Sequence, residues 1–534
     1  MNNLFYCFLL MLALSACANR GSLQGGEKDE TPPEILDLLP KNGSVNFNAE
    51  YIEFFFDENI RLNDLNSNLI VSPPFDQNPK TKVKPQSFRL YLPDSLLENT
   101  TYTLNFGDAI QDLNEQNPIS GYTYVFSTGA AIDSLTYSGS TITAFENAVP
   151  ENAWVLLHKN LSDTSVIKNK PYYLTKVEED GTFNFNYLSA GTYNIFGLQD
   201  VNSNYLYDLP NEESFAYIDS TITIDDSSNS LNQPLNFFTQ AAKRSFVKDL
   251  TNNKPGRIVL SVDGFKDSLN LEVLPEFSTG VEYTLNTSKD TLIYWLSGDY
   301  VEEDFAIQYT SNSVTDTVDV AYTKRPYTDS TFIISAPAQQ YNHKRPLRLN
   351  TPFPINRFGT EEIALLEDSL YVAGGLTFSI DSLHPTRLIA ENTFGFGRRY
   401  DVTLLPGSLY DVYGNTNDTL SFAFNTLGKE RLAQLNVELT GFAGEQGQYI
   451  IQLLDREKVA YTKTILPAES ERFTWANLVP ANYTIRVIVD QNSNGEWDTG
   501  YYQEGLQPER VLNFPDPVEL LANWEKDLVI DLSF

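Results

Sequence analysis

Asp490, Asn492, Asn494 and Asp498 stand at positions 1, 3, 5 and 9 of the run DQNSNGEWD. Calcium collects roughly six to eight hard oxygens, and side chains at those loop positions plus a backbone carbonyl at position 7 can wrap one ion. The carbonyl would come from Glu496, and Gly495 at position 6 supplies the left-handed backbone that such a turn needs. Position 12 is Tyr501 rather than a bidentate Glu, with Glu504 the nearest substitute. Two certain carboxylates imply weak, structural binding, ~10⁻⁴–10⁻³ M, as in extracellular modules. The spacing recurs at Asp200, Asn202, Asn204 and Asp208, but Tyr205 takes the glycine position. A side chain in left-handed backbone costs ~1–2 kcal/mol, so this second site is expected to be the weaker. The same residues also make good hairpins without any ion, because Asn and Asp bond to their own backbone.

Other chemistry has little to work with. The chain holds three histidines, His158, His343 and His384, each in a strand-like or loop-like context. No Gly-x-Ser-x-Gly elbow, His-Glu-x-x-His helix or phosphate loop occurs. Glu178-Glu179 and Glu302-Glu303 are carboxylate neighbours of the sort a glycosidase uses, but 70 acidic residues produce such neighbours by chance. Tyr501-Tyr502 could stack on a sugar, although packing is the blander expectation. The reading is therefore non-enzymatic.

The elements that must position these loops are strands. Phe183–Asp208 (FNFNYLSAGTYNIFGLQDVNSNYLYD) repeats as Phe473–Asp498 (FTWANLVPANYTIRVIVDQNSNGEWD) without a gap. A repeat of this length marks duplicated modules. Short alternating runs bounded by Asn, Asp, Gly and Pro fill the chain, among them Tyr51–Phe56, Phe88–Leu92, Tyr102–Phe106, Tyr122–Phe126, Arg257–Val262 and Thr291–Leu296. With 30 Tyr and 33 Phe against 2 Met, the composition suits sheets. The fold class is all-β: tandem β-sandwich domains, about five of ~100 residues each.

Three signals in the first module resemble the bacterial Ig-like domain of the S-layer type. They are the strand Ile52–Ile60, the Leu-x-x-x-Thr-x-Tyr pattern within Leu96–Phe106, and the closing Phe126-Ser127-Thr128-Gly129. A second copy is visible where Tyr400 aligns with Tyr102, Asp411 with Asp112, and Phe424–Gly428 with the closing strand. The two copies of the repeat resemble prealbumin-like or carboxypeptidase-regulatory-like sandwiches, through Gly191-Thr192-Tyr193 and Ala481-Asn482-Tyr483. The expected plan is a duplicated pair of Ig-like and prealbumin-like sandwiches around a central β domain of no assigned family. Its expected boundaries are Ig-like 32–129, prealbumin-like 130–240, central 241–329, Ig-like 330–429 and prealbumin-like 430–534. The resemblance implies a spacer or binding scaffold.

At the N-terminus the apolar run Leu4–Ala16 is too short to span a bilayer. Leu14-Ser15-Ala16-Cys17 resembles the lipobox of bacterial lipoproteins, which implies a signal peptide over 1–16, acylation of Cys17 and a flexible tether over 17–31. Each buried methylene contributes ~0.8 kcal/mol, and more than one chain is needed for stable anchoring. Cys7 lies in the removed segment, so the mature chain would carry no disulfide. The layout resembles Ig-like lipoproteins of Bacteroidota-type outer membranes, and Ala18 after the cysteine points to the outer membrane, on its periplasmic or cell-surface face. A net charge of −33 argues against nucleic acid and against anionic headgroups, leaving the lipid as anchor. Expected partners are other envelope or surface proteins. The alternative is a glycan-binding or glycan-processing part of an outer-membrane nutrient-capture system.

Overall fold

The computed structural model describes residues 29–533 apart from 95, 243–244, 255, 265–268, 275–281, 286–289, 297–304, 312–313, 322–339, 342–345, 360–362, 382–383, 443–446 and 467–470. Cys17, His343 and Glu302-Glu303 lie outside the described residues. The chain forms two compact units. One comprises the described residues of Met1–Thr141 with Glu151–Tyr207 and Ile218–Leu235; the other comprises Ile142–Pro150, Asp208–Tyr217 and Asn236–Phe534. Among the described residues, helix is confined to short turns such as Leu65–Asn68 and Ser165–Lys168. No helix among the described residues is long and apolar enough to cross a membrane.

The first unit opens with an Ig-like sandwich. One sheet orders Ile35–Leu39, Tyr51–Phe56, Ser87–Tyr91 and Lys80–Lys84, and a second orders Ile70–Ser72, Thr101–Asn105 and Thr123–Ser127. Period-two alternation sends Ile52, Phe54 and Phe56 inward to meet Phe88, Leu104, Phe106 and Phe126. The predicted strand Tyr51–Phe56 is reproduced residue for residue. Tyr102 stacks on Phe126 at 5.2 Å, and its hydroxyl accepts the Leu97 N–H at 2.8 Å.

The second unit contains the matching module. Tyr400 stacks on Phe424 at the same 5.2 Å, and its hydroxyl accepts the Gly395 N–H at 2.8 Å. The aligned carboxylates also do one job. Asp112, 1% exposed, accepts the N–H groups of Glu115, Gln116 and Asn117, and Asp411 accepts those of Tyr413 and Asn415. Burial pushes the Asp112 carboxyl up, but the backbone donors from Asn117, Gln116, Glu115 and Asn114 outweigh it and hold the group below 3.8.

The central strands form two sheets, ordered Phe246–Lys254, Arg257–Asp263, Thr291–Trp295, Glu282–Leu285 and Leu269–Leu274, Phe305–Ser311, Val314–Val320. Ile258, Leu260 and Leu292 from one pack with Ile307 and Tyr309 from the other. This segment is a sandwich too, so the all-β, tandem-sandwich fold holds along the chain.

Both copies of the repeat share one irregularity. Leu135 pairs Leu188 and Tyr137 pairs Phe185, with a bulge between; Ala433 pairs Leu478 and Leu435 pairs Trp475, with the same bulge. The extra residue is Tyr187 in one copy and Asn477 in the other, at φ 61° and 59°. The tyrosine that follows closes the next turn by donating to a carbonyl four residues back, Tyr193 to Ser189 at 2.9 Å and Tyr483 to Val479 at 2.7 Å.

Candidate functional site: the paired polar loops

The strand Ala481–Asp490 delivers Asp490 to the end of a four-stranded sheet, where the side chain is fully buried. One carboxylate oxygen accepts the Asn494 N–H at 3.1 Å; the other accepts the Gly495 N–H and the Gln448 amide, both at 2.7 Å. The Oδ1 atoms of Asn492 and Asn494 accept the N–H groups of Asn494 and Glu496. Their amide nitrogens both donate to Asp498 Oδ2 at 2.7 Å. Gly495 sits at φ 86°, with open space where a Cβ would stand.

The predicted ligands are thus brought together, and their types suit a hard cation. Their arrangement closes on itself: an ion would enter only by displacing the two amide bonds at Asp498 and turning amide oxygens off the backbone. Among the described residues no group of three or more His, Cys, Asp or Glu is placed to hold a metal.

The first loop has the same backbone. Ser203 and Tyr205 lie at φ 61° and 60°, as Ser493 does at 59°. Asp200 accepts the N–H groups of Asn202, Ser203 and Asn204 on one oxygen and that of Tyr205 at 2.7 Å on the other. Tyr205 therefore accepts the left-handed turn, and its ring packs edge-on against Trp154 at 5.4 Å.

A buried glutamate ties down each loop, and neither was legible beforehand. Glu509, 6% exposed, accepts the Gln491 N–H at 2.7 Å and the Asp498 N–H at 3.0 Å, while its carbonyl takes Trp497 Nε1. Burial pushes its carboxyl up and the charges of Asp498 and Asp490 add to that, against the pull of the two N–H groups. Glu213, fully buried, accepts the N–H groups of Asp208 and Leu209. Glu213 and Glu509 follow Asp208 and Asp498 at different distances, so the ungapped repeat ends before reaching them.

The C-terminal loop is also a packing corner inside the second unit. Trp497 meets Phe145 at 5.0 Å, the Arg486 guanidinium lies 4.3 Å over the Phe145 ring, and Asn513 donates to the Phe145 carbonyl. Tyr502 is half-buried against Phe215 and Tyr217, so the Tyr501-Tyr502 pair is packing rather than an exposed platform. Of the other candidates, His158 is a buried strand residue that burial holds down to about 4, beside Phe196. His384 lies half-buried in the strand His384–Ala390, and Glu178-Glu179 are exposed to solvent.

Residues 29–128 match the family model described as a bacterial Ig-like domain. No curated protein matches the chain. Among solved structures, the S-layer protein rSbsC is 11% identical, covering 92% of this chain and 68% of that one at a TM-score of 0.14. The Bacillus anthracis TIE protein is 9% identical over 95% of this chain and 76% of its own, at 0.14. The Bacteroides ovatus protein SGBP-B, solved with a mixed-linkage heptasaccharide, is 11% identical over 73% and 95%, at 0.17. Likenesses this distant carry nothing about the task of the chain, whereas the family match places a bacterial Ig-like domain at residues 29–128.

Proposed function

We propose that this chain is a non-enzymatic lipoprotein of a Bacteroidota-type outer membrane, anchored through acylated Cys17 and presenting tandem β-sandwich surfaces to other envelope or surface proteins. The observation that carries the reading is adjacency. The bacterial Ig-like match begins at residue 29, inside the glycine-rich, polar Gly21–Thr31 that follows Cys17. A lipid, a flexible spacer and rigid sandwiches in that order make a display arm. The carboxylates and amides of the Asp490 loop support it as well, since they hold a turn together. Calcium at the Asp490 loop belongs to the same proposal as a weak, structural ligand. Metabolic labelling with a clickable fatty acid tests the anchor: the wild type takes the label and sediments with outer membranes, and C17S does neither. A labelled C17S protein, or an unlabelled wild type, defeats the proposal. Protease treatment of intact cells then separates surface display from the periplasmic face.

A further inference from the structure

The two copies of the repeat differ most sharply where they should agree. Tyr205 stands where its twin has Gly495, at φ 60° and 86°. Trp154 pairs with Leu198, and the corresponding Ile488 pairs with Ile450, so Trp154 stands where the twin has Ile450. One copy has thus placed two aromatic rings in contact where the other has isoleucine and glycine, and it holds one of them in a backbone conformation that side chains avoid. Packing of the sandwich does not require this, since the twin folds without it.

Both rings are half-buried, and both line a cavity of about 360 Å³ within the first unit. That size falls in the roughly 300–1,000 Å³ range of small-ligand sites. Phe75 adds a third ring, and Asn66, Gln77 and Asn78 bring side-chain amides to the same lining. The two charged side chains of the lining engage the protein's own backbone. Asp200 accepts four loop N–H groups, and Lys170 donates to the Phe75 carbonyl at 3.2 Å.

We propose that this cleft binds a neutral oligosaccharide, with Trp154 and Tyr205 meeting the apolar face of a sugar ring and the three amides bonding its hydroxyls. Amides both donate and accept, as sugar hydroxyls do. Aromatic rings offer an apolar body at little entropic cost. The engaged charges disfavour an acidic or basic ligand. The inference does not rest on the lipid anchor: failure of the fatty-acid labelling would leave it standing, and the reverse holds too.

The test titrates the full chain, in detergent, with gluco-, xylo- and manno-hexaose and with a proline-rich peptide, read by calorimetry and tryptophan fluorescence. At least one hexaose is expected to bind with Kd below about 1 mM. Y205G and W154I, which install the twin's residues, should each weaken it roughly tenfold while the thermal melt remains cooperative. Y205G relieves the left-handed strain, so loss of binding there is not loss of fold. No hexaose binding, binding indifferent to both substitutions, or uptake of the peptide alone would overturn the proposal.

Discussion

At the scale of single residues, the carboxylates that look like chemistry are turn organisers. Asp490 is buried with three donors aimed at it, and removal would strand two backbone N–H groups and the Gln448 amide. Hydrogen bonds to a charged group contribute about 1.5–3 kcal/mol each, and buried donors left unmade cost more than that mean implies. D490A should therefore destabilise the second unit by about 3 kcal/mol in a denaturant melt, a loss confined to that unit's transition. Asp112 gives a pH dependence of definite sign. Its folded value lies below 3.8, so on acidification the unfolded chain takes the proton first. Its stabilisation is full above the ordinary value and is lost as pH falls through the folded one. D112N should be less stable than the wild type at about pH 6, and the gap should shrink below about pH 4. A gap unchanged across that interval would contradict the assignment.

At the scale of elements, tyrosines at strand starts fix the geometry in both module types. Tyr102 and Tyr400 accept the N–H groups of Leu97 and Gly395, and each stacks on a phenylalanine of the closing strand. Y102F and Y400F should cost the same, about 1 kcal/mol each, because one neutral hydrogen bond is lost in an unchanged packing. Calorimetry that gave one substitution a large effect and the other none would break the equivalence of the two modules. Most of this scale was legible in the sequence. Alternation gave Tyr51–Phe56 and came within one residue for Arg257–Asp263, because inward and outward residues differ in polarity. The two polar loops have left-handed residues at matching positions, Ser203 and Tyr205 against Ser493 and Gly495, although the sequence set them apart at Tyr205. What stayed hidden depends on distance across the fold. Glu509 binds Gln491 and Asp498 from the segment just before the strand Val511–Leu520, and Trp154 reaches Tyr205 from the strand Trp154–His158. Neither pairing has a sequence spacing that could announce it.

At the scale of the whole molecule, a net charge of −33 and the absence of any pair of cysteines outside the first 17 residues set the terms for stability. Acidic chains accumulate cations near their surfaces, which raises the local calcium concentration at an exposed loop without creating a site. The C-terminal loop is where such an ion would act, because Trp497, Glu509 and Phe145 all meet there. Its donors are engaged with one another, so binding exchanges hydrogen bonds for coordination and must be weak. With a dissociation constant near 10⁻³ M, about 10 mM calcium would stabilise the native state by about 1.4 kcal/mol. That is a rise of about 2–4 °C in the melting temperature of the second unit. The rise should exceed that from magnesium at equal ionic strength, since magnesium demands near-octahedral geometry and sheds its water reluctantly, whereas calcium accepts an irregular set of oxygens. It should vanish in D498N, which removes the carboxylate on which both amides converge, and survive in D208N, which leaves the Asp490 loop intact. Equal responses to the two cations would reduce calcium to screening of the acidic surface, and the Asp490 loop would stand as a hydrogen-bonded corner alone.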